Sequence, residues 1–229
     1  MTTIDTHVTS APASAGSGLA CVAEWVTTTD HKRIGRLYLG SAAVGFVGSA
    51  VVALLLGIER ISPSREWLDI GSLTQLFALQ RFGLTFMVML PLVVGLATAI
   101  VPLQVGARSL AFPRLAAAGF WAWLIGAVLA VVSVLNNGGP NGGNADFVDL
   151  FTLSAALAAA GFLAGAVSLV TTILTTRAPG MNMRRVPLFA WSALVYGFGL
   201  VLAVPGLAGV LVLLAVDHKY SRLTFNGNQ

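Results

Sequence analysis

The sequence predicts an all-α membrane protein, a bundle of five transmembrane helices, and three observations predict it. Of 229 residues, 56% are hydrophobic and only 10% are charged, against about a quarter charged in a soluble domain. The apolar residues gather in five stretches, at 37–56, 84–105, 115–135, 150–174 and 188–216. Each meets the ~20 residues needed to cross ~30 Å of hydrocarbon. None alternates apolar and polar residues as a membrane strand does, and backbone groups in lipid must be satisfied within the segment, so each stretch is a helix.

The elements follow in order. Residues 1–24 are rich in Thr, Ser, Ala and Gly and read as a flexible tail. No basic segment precedes an apolar core there, so a cleaved signal peptide is not expected. The membrane domain occupies 25–229 and opens with an interfacial segment at 25–36. The connection at 57–83 carries Glu59, Arg60, Arg65, Glu66 and Trp67, and its Ser72-Leu73-Thr74 run either starts a short helix or extends span two. The loop NNGGPNGGNAD, at 136–146, has the Gly and Asn content of tight turns and an exposed chain. Trp25, Trp67 and Trp191 stand near span ends, the usual interfacial position. Trp121 and Trp123 either do the same or pack between helices. Small residues line span one at 40–49, and span four carries a GxxxG at Gly161 and Gly165. Such faces let helices approach closely, inside the bundle or against a partner.

Charge placement predicts orientation. With the N-terminus cytoplasmic, the inner segments carry Lys32, Arg33, Arg36, Arg108, Arg114, Arg177, Arg184 and Arg185. The outer ones carry Arg60, Arg65, Arg81, Lys219 and Arg222. The excess of basic residues on the first side favours N-inside and C-outside. These charges are scattered at span ends, so nucleic acid is not an expected partner. The last four apolar stretches contain no Asp, Glu, Lys, Arg or His, and intramembrane ionisable residues are the default mark of proton and ion paths. The three histidines, His7, His31 and His218, all fall outside the five apolar stretches. The single cysteine, Cys21, precludes an intrachain disulfide and a multi-cysteine metal site.

Three segments carry a family resemblance. They are WVTTTDHKRIGRLYL at 25–39, FMVMLPLVVGLATAIVPLQVGARSLAFPR at 86–114, and RRVPLFAWSALV at 184–195. In this order and spacing they resemble the N-terminal five helices of cytochrome c oxidase subunit I, of the haem–copper oxidase family. By physics alone Asp30 is a helix cap and Pro91 and Pro102 are kink positions.

The resemblance implies a respiratory membrane subunit in a bacterial plasma membrane. It also implies what this chain lacks. The family places a low-spin haem histidine eleven residues before the proline that corresponds to Pro91, and here that position is Gln80. Amides are poor donors to haem iron, for which His, Met, Cys and Tyr are usual. Met87 and Met89, inside span two, are the weak alternatives, and Arg81 could face an acidic group or a propionate. The family's proton-path positions read Thr98, Ser109, Ala116 and Ala117. Its other haem and copper ligands belong to later helices, past the match. No catalytic residue, metal site or resident cofactor is therefore expected in the chain alone, and haem only with ligands from a partner. Three roles follow. The first is a non-catalytic or accessory subunit among the other membrane subunits of an oxidase-type complex. The second is the N-terminal part of a split oxidase completed by another chain. The third is a module that binds haem, quinone or lipid.

Overall fold

In a computed structural model of the chain, residues 23–61 and 69–220 are described. Cys21, His7, Arg65, Glu66, Trp67 and Arg222 lie outside them, as does the tail at 1–22; residues 23 and 24 already belong to a helical turn. The ordered elements are α1 (His31–Ile61), α2 (Ile70–Phe82), a π-helical segment (Gly83–Met89), α3 (Leu90–Val105), α4 (Pro113–Leu135), β1 (Gly138–Gly139), β2 (Gly142–Gly143), α5 (Ala145–Thr175), a 3-10 turn (Met183–Arg185) and α6 (Leu188–Tyr220). Because α2, the π segment and α3 run on as one helix, five candidate spans result.

Every span is longer than its apolar stretch. Span one is His31–Ile61 instead of 37–56, and span two is Ile70–Val105 instead of 84–105. Where spans one, two and four start early, the reason is capping, by Asp30, Asp69 and Asn144. Asp69 accepts hydrogen bonds from the backbone N–H groups of Gly71 and Ser72, which satisfies two of the orphan donors of a helix start. The Ser72 hydroxyl also donates to Asp69, and these bonds, the side-chain one first, hold its carboxyl below the usual carboxylate range. The segment from Ile70 therefore extends span two. Two expectations change. His31 opens α1, where it is buried, and His218 falls within α6, so both belong to helices, at their ends. Arg81 is internal to a continuous 36-residue helix.

The third loop is also better fixed than its composition suggests. It forms an antiparallel hairpin, Gly138 opposite Gly143 and Gly139 opposite Gly142. The buried Ser133 hydroxyl, at the end of α4, bridges the carbonyls of Gly138 and Phe147. From α2, the Gln75 amide donates to Asn137 Oδ1 at 3.2 Å and to Gly142 O at 2.9 Å. A Cβ at Gly138 would overlap Phe147 and one at Gly139 would overlap Gln75, so only glycine lets the hairpin dock this closely.

Helix α5 is the centre of the bundle: it packs against α4 most extensively, and also against α6 and α3. Of its most apolar window 61% is buried, against 17% for α1 and 11% for α6. The α4–α5 contact is backbone to backbone. A Cβ added at Gly126 would lie 2.5 Å from Ser154 O and Ala158 N, and one at Gly161 2.5 Å from Gly119 O. The GxxxG of span four thus serves the internal bundle through Gly161. Span one divides: Gly35 and Gly45 meet α3 and the π segment, while Gly40 and Gly48 face open space.

Candidate functional site

The chemistry that the sequence singles out lies on the second span. Its middle is built around one missing hydrogen-bond donor. Pro91 has no N–H, and the Leu90 N–H bonds Thr85 O, five residues back, in the π register. The Phe86 carbonyl is thereby left without a backbone partner. The Trp123 indole supplies it, donating from Nε1 at 2.8 Å. Trp123 is fully buried, with Tyr38, Phe120 and Phe162 around it; it packs between helices, whereas Trp121 reaches the segment before α1 and donates to Val26 O. On the other side α1 closes in, where a Cβ at Gly45 would sit 2.5 Å from Met87 O. The span's irregular turn is locked by a tryptophan and a glycine on neighbouring helices.

Gln80 stands one turn before this segment. Gln75 is level with the hairpin, so Gln80 lies five residues, ~7.5 Å at 1.5 Å per residue, towards the bundle centre. Its side chain is half-buried, and Oε1 is buried with no hydrogen-bond partner among the described residues. Arg81 is exposed. Met87 is half-buried and Met89 is 60% exposed. Thr98 and Ala116 are buried, Ala117 is half-buried and Ser109 is exposed.

The residues around Gln80 do not fit haem iron. An amide oxygen is not among the usual iron donors. Gly45 opposes Met87 and Ser49 opposes Gly83, which sets the antiparallel register of span one against span two. By that register His31 stands some 20 residues, ~30 Å, along the bundle from Gln80. Met89 turns away from the interior. Among the described residues no three of His, Cys, Asp and Glu gather as a metal site.

Several buried polar atoms escaped sequence reasoning. The Tyr38 and Tyr196 hydroxyls, Gln104 Oε1 and His31 Nε2 are buried without partners among the described residues. Their residue types, in apolar surroundings, were the only signal. The π segment had a better one, a proline late in a helix with a tryptophan available on the next span.

Five apolar helices, joined by short connections and packed through glycine contacts, define a polytopic α-helical integral membrane protein. The chain belongs to the family described as Cytochrome C and Quinol oxidase polypeptide I, which matches residues 33–228. Among its relatives, a probable cytochrome c oxidase subunit 1-alpha of Streptomyces avermitilis is 35% identical, over 90% of this chain and 38% of the relative. A probable cytochrome c oxidase subunit 1-beta of Nocardia farcinica is 36% identical, over 90% and 38%. The quinol oxidase subunit 1 of Bacillus subtilis is 31% identical, over 86% and 32%. The chain thus spans between about a third and two fifths of the length of the curated relatives it matches.

Proposed function

We propose that this chain is a non-catalytic membrane subunit of an oxidase-type respiratory complex, contributing scaffold and partner contacts. The observation that carries the reading is Gln80, with its buried amide oxygen unpartnered among the described residues, at the position where the family resemblance puts a haem histidine. The proton-path positions support it: Ala116 and Ala117 offer no group that relays a proton. On this reading the chain binds no haem by its own ligands, and any haem beside it takes its axial donors from another chain.

A second reading has its own support. Helices α1 and α6 are the least enclosed of the five spans, and the match covers only 38% of the length of the relatives. Both fit a chain whose bundle is completed by helices of another polypeptide, as in a split oxidase. The two readings share a prediction. The tagged chain, isolated from its native membrane in mild detergent, brings down other membrane subunits. Recovery only as a lone monomer contradicts both. A co-purifying chain with copper-binding histidines favours the second.

A further inference from the structure

Arg81 is the one charged side chain of the 36-residue helix Ile70–Val105. It makes no ion pair with any described residue, the salt bridges there being Asp30–His31 and Glu24–Arg33. It lines an open cleft of about 500 Å³ whose other walls include Phe77, Phe82 and Phe151 from the helices and Pro140 and Asn141 from the hairpin. The hairpin fixes the depth of this cleft. Its irregular backbone cannot lie exposed in hydrocarbon, so the residues level with it mark the boundary between membrane and water. The Arg81 backbone stands six residues, ~9 Å, inward of Gln75, and its long side chain shares the cleft with Pro140 and Asn141 of the hairpin, so the guanidinium reaches back to that boundary. Phe77, four residues before it, and Leu84, three residues after it, are both exposed and share its helix face. The result is a cation at headgroup height, flanked by Phe77 one turn nearer the hairpin and by Leu84 one turn deeper in the hydrocarbon.

We propose that this cleft binds the headgroup of an anionic phospholipid, with the phosphate on Arg81, the glycerol region against Phe77 and an acyl chain running inward past Leu84. A guanidinium matches a phosphate in bidentate geometry, and the apolar wall distinguishes a lipid from a free anion. The site is independent of the role proposed for the chain, since it uses neither Gln80 nor a completing partner.

The test uses the purified full chain in neutral detergent, titrated with dioleoylphosphatidylglycerol, dioleoylphosphatidylcholine or inorganic phosphate. Bound lipid is read by native mass spectrometry and by the shift in unfolding temperature. The phosphatidylglycerol is expected to bind more tightly than the phosphatidylcholine. R81Q is expected to weaken the anionic lipid about five-fold, the loss of one interfacial cation, with R81K retaining part of the preference. R108Q, at the opposite end of the bundle, leaves binding unchanged. An R81Q protein that binds phosphatidylglycerol as tightly as the parent overturns the proposal, as does full competition by inorganic phosphate. Should R81Q fail to fold, an R81K protein without preference for the anionic lipid overturns it equally. A lipid preference that vanishes in the chain's native complex assigns Arg81 to a partner's acidic group and also overturns it.

Discussion

Gln80 shows how one side chain separates fold from function. Its carbonyl oxygen is buried without a donor among the described residues, a state that costs free energy because that oxygen has left water without gaining a hydrogen bond. Replacing the whole amide by an apolar group removes that penalty. Gln80→Leu is therefore expected to leave the isolated chain as stable as the parent, or up to ~1 kcal/mol more stable, in thermal unfolding followed by circular dichroism. A clear loss of stability would mean that the amide already has a partner. Trp123 is the opposite case. Its indole serves the Phe86 carbonyl that Pro91 deprives of a backbone donor. Trp123→Phe keeps the ring packing but strands that carbonyl, and is expected to cost ~1–3 kcal/mol in the same assay. Sequence reasoning could name Gln80, because the family resemblance places a haem histidine at a fixed distance before the proline that corresponds to Pro91. It left Trp123 undecided between interface and core, because the need for its N–H is created by a backbone register that no residue type announces.

At the scale of elements, glycine position decides which helices touch. Gly126 faces the α5 backbone at 2.5 Å from where its Cβ would stand, while Gly40 faces nothing. Gly126→Ala must push α4 and α5 apart or strain them, and is expected to destabilise the bundle by ~1–3 kcal/mol. Gly40→Ala is expected to stay within ~0.5 kcal/mol of the parent. Parallel unfolding of the two variants checks the pair, and equal effects would contradict the observed packing. The sequence revealed small-residue faces on spans one and four but not their partners, since on span one glycine stands on touching faces, at Gly35 and Gly45, and on open ones, at Gly40 and Gly48. The apolar stretches located all five spans and fell short of each at one end or both, while the ends at Val105 and Leu135 and the start at Leu188 were met. Hydropathy falls away before the helix does, and Asp69 and Asn144 carry the chain into regular structure through their caps. The hairpin at 138–143 was legible as turns; its anchoring by Gln75 and Ser133 was not, because those bonds join residues of different spans or depend on the fold of the loop itself.

For the whole molecule, the bundle keeps a family frame around an interior that offers iron little to hold. Its central space is filled by Tyr38, Phe120, Trp123 and Phe162, and its most exposed helices are the first and the last. Both features fit a chain that works beside other membrane subunits. The central claim, that this polypeptide holds no haem by its own side chains, is tested most directly by the absorption spectrum of the full chain expressed by itself with haem supplied and purified in mild detergent. The account predicts no Soret band at stoichiometric intensity. A stoichiometric low-spin haem that disappears when Met87, His31 or another of the chain's own donors is replaced would contradict it.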